Sequence, residues 1–245
     1  MRHAGRVGPP ETVAALDDLA SLGPFFAVET DPAARAGGIW RPLAALYTDP
    51  EPLRRRIVEV GEFLHTDEDR VAASLTFQSL SARVVAPPVA IAALHGVVAP
   101  LEPQALYWRP VPSGPWPLWT AAGESPWPSV APSQLVDRLA ELVIERHLRP
   151  LVDAVRAQVG VAESLLWGNA ASSLAAALRL VGEQRPAAVH TARALADALL
   201  GYGPLAGTSS TGPAGQFRRR SCCLYYRTPE GGLCGDCVFD EPPAR

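Results

Sequence analysis

Apolar residues recur along most of the chain at the spacing of helices that bury one face. Leu16, Leu19 and Leu22 follow this spacing and predict an opening helix over residues 11–22. The same pattern, with its proline and capping signals, predicts further helices over 53–64, from 67 to about 85, from 134 onward, over 161–181 and over 186–200. Pro150 is expected to end or kink the helix that begins at 134. The body of the chain is therefore predicted to be mainly helical.

The longest apolar run, Val84 to Leu101, bears on whether the chain crosses a membrane. Pro87 and Pro88 interrupt this run, and a spanning helix needs about 20 consecutive apolar residues. The two prolines are expected to break the helix, with a second helix following over 89–98. We interpret the run as part of a buried core and expect no transmembrane segment, while peripheral contact with a membrane stays open.

Prolines crowd into residues 99–132 and exclude long helices there. Four of the six tryptophans lie in the same stretch. Residues 105–109 and 118–121 are its best strand candidates, and together they predict a short β-hairpin near 105–121. The predicted fold class is therefore α+β, with a mainly helical body over residues 1–200 and a small central β element.

The chain changes texture again after the last predicted helix. Gly, Ser, Thr and Pro dominate the sequence GYGPLAGTSSTGPAG, which predicts a flexible linker over residues 201–217. Residues 218–245 then form a separate tail segment, and all of the cysteines lie in it.

Composition excludes several functions. Charged residues make up 19% of the chain and the net charge is −3, so no nucleic-acid partner is expected. The chain contains no lysine, which excludes Schiff-base chemistry and a Walker-type phosphate loop. The first residues, MRHAGRVGPPETVAALDDL, lack the apolar stretch of a signal peptide. A cytoplasmic location is therefore predicted.

Four cysteines, Cys222, Cys223, Cys234 and Cys237, follow 221 residues that contain none. A disulfide framework spreads its cysteines to join distant segments, whereas a tight group in a cytoplasmic chain is typical of a metal or cluster site. Four thiolates are the usual ligands of an iron–sulfur cluster and also of structural zinc. The tail is therefore predicted to bind a metal centre.

The adjacent pair Cys222 and Cys223 is the informative half of this pattern. Structural zinc sites normally separate paired cysteines by two to four residues, because neighbouring side chains of an extended chain point to opposite faces. A cluster with two irons offers more widely spaced ligand positions. The pattern favours an iron–sulfur cluster, and structural zinc and a redox-active dithiol remain as alternatives.

The arrangement C-C-x10-C-x2-C resembles that of the FhuF-like ferric siderophore reductases. Three upstream stretches resemble the helical body of that family more loosely: RVAASLTFQSLSARVVAPPVAIAALHGVVAP, LYWRP and LLWGNAASSLAAALR. The resemblance implies that the four cysteines hold a [2Fe–2S] cluster. It also implies an oxidoreductase acting on metal ions, which passes one electron to iron(III) in a siderophore and releases iron(II).

Other residues are candidates for roles around such a centre. Arginines flank the cysteines and are candidates for tuning the cluster or docking an electron donor: Arg218, Arg219, Arg220 and Arg227. Candidate substrate contacts lie upstream, at Trp108, Arg109, Trp167 and Asn169, where packing is the competing explanation. Gly168 interrupts a strong helix beside them and invites a reason, such as a close helix approach or a ligand surface.

No flavin or nicotinamide motif is visible, so a separate electron donor such as a ferredoxin or a flavin reductase is expected. Two alternative functions stay open at this point. One is a non-catalytic siderophore-binding or iron-binding protein, and the other is a structural zinc protein in which the tail only stabilises the fold.

Overall fold

Helices carry most of the backbone in a computed structural model that describes residues 9–112, 114–212 and 216–243. The α-helices are α1 (Pro9–Asp18), α2 (Pro32–Ala36), α3 (Leu43–Thr48), α4 (Pro50–Phe63), α5 (Asp69–His95), α6 (Leu135–Ala140), α7 (Arg149–Gln158), α8 (Glu163–Gln184) and α9 (Val189–Leu200). A π-helix spans Glu141–Leu148, and single 3-10 turns lie at Leu19–Leu22, Ala122–Glu124, Pro132–Gln134, Pro186–Ala188, Gly203–Leu205 and Tyr225–Arg227. The strands are β1 (Arg41–Pro42), β2 (Leu106–Trp108), β3 (Leu118–Thr120), β4 (Ser209–Thr211) and β5 (Phe217–Arg219). The predicted α+β class with a mainly helical body is confirmed.

Helices α5 and α8 pack against each other along much of their length and form the centre of the fold. Small side chains such as Ala90, Ala170 and Ala171 are fully buried, which lets helix backbones approach closely. Ser81 and Ser173 share a hydrogen bond of 2.8 Å between their hydroxyl oxygens. The two helices therefore meet through an apolar surface with isolated, paired polar groups.

The prediction that Pro87 and Pro88 break the helix was wrong. Both prolines lie inside α5, which continues without interruption from Asp69 to His95. Each proline removes one main-chain hydrogen bond and costs roughly 3 kcal/mol in a helix interior. Every residue from Val84 to Ala93 is buried, so the packing of this segment offsets the lost bonds.

The most apolar window of α5 is long and apolar enough to cross a membrane by length and composition. Seventy-eight per cent of that window is buried inside the protein, which is the burial of a core helix. The interpretation of the 84–101 run as part of the core agrees with this burial.

Pro150 does not end the helix that begins before it. The backbone stays helical from Leu135 to Gln158, and the π-helical segment precedes the proline. The main-chain N–H of Arg149 donates to the carbonyl of Ile144, five residues earlier. This wider turn gives room for the proline ring, which would crowd the preceding turn of a regular α-helix.

The central β element is a small antiparallel sheet with strand order β1-β2-β3. Leu106 pairs with Thr120 and Trp108 pairs with Leu118 across the hairpin. The indole of Trp108 stacks on that of Trp116 with ring centroids 4.4 Å apart. Sequence reasoning left β1 unassigned, because two residues are too few to show an alternating pattern.

Buried Arg83 fastens the loops around this sheet to α5. Its guanidinium donates hydrogen bonds to the carbonyls of Phe25, Ala27 and Trp116. Burial lowers the pKa of Arg83 to about 10. One cation on the central helix thus satisfies three loop carbonyls that would otherwise be buried without a donor.

Residues 201–217, predicted as a linker, are described except for 213–215, which lie outside the described residues. Leu205 is fully buried, and β4 pairs with β5 in the register Ser209 to Arg219. Arg220 N–H donates to the carbonyl of Thr208 at 2.8 Å. The division of the chain into body, linker and tail remains a prediction.

His147 lies on the π-helical segment and is completely buried. Its Nε2 is 2.7 Å from the carbonyl oxygen of Leu101, and its Nδ1 is 2.9 Å from the hydroxyl of Tyr47. A carbonyl only accepts, so Nε2 carries the proton, and Nδ1 accepts from Tyr47. Burial lowers the pKa of His147 from 6.5 to about 4.

Stability is expected to fall as the pH drops from about 6.5 toward 4, because in this range the unfolded chain binds a proton at His147 that the folded chain does not. The loss between pH 7 and pH 5 is about 2 kcal/mol of unfolding free energy. Urea denaturation across this pH range measures it. His147→Gln provides an amide that donates and accepts but does not titrate, so its unfolding free energy is expected to change less between pH 7 and pH 5. An equal change in both proteins would contradict the role of His147 in this pH dependence.

Candidate metal centre

The four cysteines meet beside β5, where the tail segment lies on the helical body. Cys222 and Cys223 follow that strand after Arg220 and Ser221. Cys223 and Cys237 are buried, while the other two are half-buried. The Sγ atoms of Cys223 and Cys234 are 3.7 Å apart. The sequence pattern therefore folds into a cluster of thiols with one side toward the surface.

Local turns bring the two halves of the motif together. Leu224 has a φ of +70°, so the chain reverses immediately after the adjacent cysteines. Cys237 N–H donates to the carbonyl of Cys234 at 3.1 Å, which closes the C-x2-C turn. Between them the backbone passes very close to itself, since a Cβ on Gly231 would lie 2.0 Å from the carbonyl oxygen of Tyr225. That approach requires glycine at this position.

The distance between Cys223 and Cys234 fits two ligands of one metal. Two sulfurs bound to a tetrahedral metal at about 2.3 Å are about 3.8 Å apart. Among the residues that the structure describes, no group of three or more His, Cys, Asp or Glu side chains surrounds a single-ion position.

Arg219 is the charged group closest to this pair. It is 2% exposed, its Nη1 donates to Asn169 Oδ1 at 2.6 Å, and its Nη2 donates to the sulfur of Cys234. Its Nε is also buried and has no hydrogen-bond partner among the described residues. An acceptor rich in negative charge beside the cysteines, as an iron–sulfur cluster is, suits this orphaned donor.

A chain of hydrogen bonds joins the cysteines to both central helices. Ser74 of α5 donates to the carbonyl of Cys223 at 2.7 Å. Asn169 of α8 donates through Nδ2 to the carbonyl and to the hydroxyl of Ser74, both at 3.0 Å. The opposite end of the same amide accepts from Arg219. Because every member has a defined direction, the network fixes the position of the tail on the body.

Asp236, inside the C-x2-C turn, provides a second attachment. Its carboxylate accepts a hydrogen bond from Ser172 of α8, and its carbonyl accepts from the N–H of Arg219 at 3.0 Å. Sequence reasoning missed Ser74 and Ser172 as site residues. The available signal was weak: polar residues spaced three apart, such as Asn169 and Ser172, on an otherwise apolar face of a helix.

Gly168 marks the place where the tail touches α8. A Cβ at this position would lie 2.1 Å from the hydroxyl oxygen of Ser221, and 3.5 Å from its Cβ. Ser221 in turn is 3.3 Å from the carbonyl of Ser164, to which its hydroxyl donates. The glycine that interrupts a strong helix is explained by this close approach of the residue before Cys222.

The four arginines near the cysteines have different surroundings. Arg218 donates to the carbonyl of Cys237 at 3.0 Å and pairs with Asp240 at 2.8 Å. Arg227 forms an ion pair at 2.7 Å with Glu68, the residue before α5, which lowers the pKa of that carboxyl. Arg220 is exposed. Arg219 alone among these four is buried against a cysteine sulfur.

Thiol pKa values within the cluster diverge. Hydrogen bonding to the Cys223 sulfur lowers the pKa of Cys222 to about 7, and the Leu224 N–H adds to this effect. The pKa of Cys234 is raised, first by its hydrogen bond with Cys223 and then by burial, while Arg219 opposes the rise. Burial acts to lower the pKa of Arg219, but the sulfurs of Cys223 and Cys234 leave it raised.

The candidate substrate contacts do not lie together. Trp108 is 2% exposed in the central sheet, and Arg109 extends over the ring of Trp40 at 5.4 Å. Trp167 and Asn169 lie on α8 and are buried, with the indole N–H of Trp167 donating to Glu163 at 3.1 Å. The contacts of these four residues are with other parts of the protein and hold the fold together, and their substrate roles remain predictions.

Two family models match the chain. The model described as "FhuF 2Fe-2S C-terminal domain" matches residues 219–239, which include all four cysteines. The model described as "Ferric iron reductase FhuF-like transporter" matches residues 75–202, just over half of the chain. No curated protein matches the chain.

Gly168→Ala is expected to stabilise the protein by less than the roughly 1 kcal/mol by which alanine is the better helix former, because the Ser221 hydroxyl must move. The new methyl displaces the Ser221 hydroxyl. Ser221→Ala removes that oxygen, so the double variant is expected to be at least as stable as the wild type. A double-mutant cycle on urea-unfolding midpoints should give a coupling of roughly 1 kcal/mol. Additive effects of the two substitutions would show that the contact does not form.

Proposed function

The chain belongs to the FhuF-like family of ferric iron reductases, and we propose that it reduces ferric siderophores and releases iron(II) in the cytoplasm. The matches confirm the family resemblance and the expectation of a [2Fe–2S] cofactor. The observation that carries the proposal is the pair of thiols Cys223 and Cys234, 3.7 Å apart and beside a buried guanidinium, within a segment that holds all four cysteines. The match to a 2Fe-2S domain also favours a cluster over structural zinc.

Cys222, Cys223, Cys234 and Cys237 are the proposed ligands of the cluster. When bound, the cluster supplies one electron at a time at a potential that its surroundings set. Cys223 and Cys237 are buried, whereas Cys222 and Cys234 are half-buried. We therefore expect an acceptor to approach the centre from the side of Cys222 and Cys234.

The proposed substrate is iron(III) held by the hard oxygen donors of a siderophore. One electron converts it to iron(II), which the same oxygens bind far more weakly, so the metal becomes free to leave. No bond between the protein and the substrate iron is needed. The chain needs only a surface on which the chelate comes close to the cysteines.

A separate reductase or ferredoxin is the proposed electron donor, since no flavin or nicotinamide motif was found in the sequence. An acidic donor would meet exposed positive charge at Arg220, beside the cysteines. Arg218 and Arg227 are engaged with Asp240 and Glu68, and their net contribution to such docking is correspondingly smaller.

Cys223→Ser is expected to abolish stable cluster assembly, because its sulfur is one of the paired ligands and the chain has no fifth cysteine. Visible absorption and iron content of anaerobically purified protein measure the loss. Ser221→Ala, two residues away and outside the proposed ligand set, is the control and should retain the wild-type spectrum. Full occupancy in the Cys223→Ser protein would overturn the ligand assignment.

A single-turnover experiment tests the reductase activity itself. Protein reduced in advance is mixed with one equivalent of a ferric hydroxamate chelate and an iron(II) trap. One trapped iron(II) is expected for each cluster that loses its low-temperature paramagnetic signal. The gallium(III) chelate of the same siderophore, which cannot accept the electron, is the control. If the ferric chelate also leaves the signal unchanged, the reductase proposal fails and a non-catalytic iron-binding role survives.

A further inference from the structure

Arg219 combines two properties that its neighbouring arginines lack. Its guanidinium is almost completely buried, and it touches the sulfur of Cys234. Arg220, the next residue, is exposed to solvent and carries the same charge. The pair therefore provides a buried and an exposed cation one position apart.

Burying a guanidinium costs several kcal/mol unless negative charge compensates it. The side-chain partners of Arg219 are the neutral amide of Asn169 and the sulfurs of Cys234 and Cys223. The thiolate character of the cysteines is thus the source of compensating charge that contacts the guanidinium. A cation in these surroundings interacts strongly with charge on the centre, because little water lies between them to screen it.

Asn169 holds the guanidinium in this position. Its Oδ1 accepts from Arg219 Nη1, and its Nδ2 is engaged with the carbonyl and hydroxyl of Ser74. Since Ser74 also donates to Cys223, the amide cannot rotate without breaking bonds on both sides. Helices α5 and α8 therefore fix the distance between the cation and the sulfurs.

We propose that Arg219 raises the reduction potential of the cluster and that Asn169 is the positioning residue that keeps it there. Reduction adds one negative charge to the centre, and a fixed cation stabilises the more negative state. The inference rests on the proposed cysteine ligands. It does not depend on the identity of the final electron acceptor.

Arg219→Gln is expected to lower the potential, with a tenfold or greater loss in the equilibrium constant for reduction, which corresponds to about 59 mV. Arg219→Lys keeps the charge and should recover part of this loss. Arg220→Gln, with the same change in net charge at an exposed site, should shift the potential much less. Spectroscopic redox titration of the purified holoproteins measures all three. Equal shifts for the two glutamine variants would overturn the proposal.

Asn169→Leu provides a test that keeps the charge of Arg219 and adds none. It removes the acceptor that holds Arg219 Nη1, so the guanidinium is less firmly placed and the potential is expected to fall in the same direction. Ser74→Ala removes hydrogen bonds to Asn169 and Cys223 but leaves the bond between Asn169 and Arg219, and should change the potential less. Where Arg219→Gln loses its cluster, the Asn169→Leu titration decides: a lowered potential supports the proposal, and an unchanged potential refutes it.

These outcomes separate from those of the proposed function. If the reduction potential shifts as expected but the protein does not reduce ferric chelates, the role of Arg219 is supported and the reductase proposal fails. A wild-type protein that shows no two-iron spectrum would remove the cysteine assignment and the role of Arg219 together.

Discussion

The burial of α5 against α8 is the constraint on which the rest of the structure depends. Most polar side chains buried on these two helices have a hydrogen-bond partner, although the Thr76 hydroxyl has none among the described residues. Arg83 takes up the carbonyls of three loop residues, and Ser81 pairs with Ser173 of the opposite helix. Ser74 and Asn169 find hydrogen-bond partners in the cysteine segment, at the carbonyl of Cys223 and the guanidinium of Arg219. The need of buried polar groups for hydrogen-bond partners thus also positions the metal centre.

The α+β class, the mainly helical body and the metal-binding chemistry of the tail could all be predicted from the sequence. Helices such as α4, α8 and α9 follow from apolar spacing, and the hairpin of β2 and β3 follows from short apolar runs among prolines. The helix break at Pro87 and Pro88 was predicted wrongly because it was inferred from local backbone chemistry alone. The burial that keeps α5 continuous comes from residues distant in sequence and leaves no local signal.

The same limit applies to the site. Asn169 and Gly168 were noticed because a polar residue and a glycine are unusual in a strong helix, yet their partners lie about 50 residues or more along the chain. The four arginines near the cysteines cannot be told apart from the sequence alone. Only their packing distinguishes Arg227, paired with Glu68, from Arg219, which is enclosed beside a sulfur. Spacing identifies the donor set, whereas its electrostatic surroundings depend on tertiary contacts.

The attachment of Cys223 to Ser74, across 149 residues of sequence, also has a consequence for biosynthesis. The cysteine segment can take its final arrangement only after α5 and α8 have paired, because both helices contribute to its seat. Completion of the cysteine segment during biosynthesis therefore depends on the correct pairing of two helices that lie far from it in the chain.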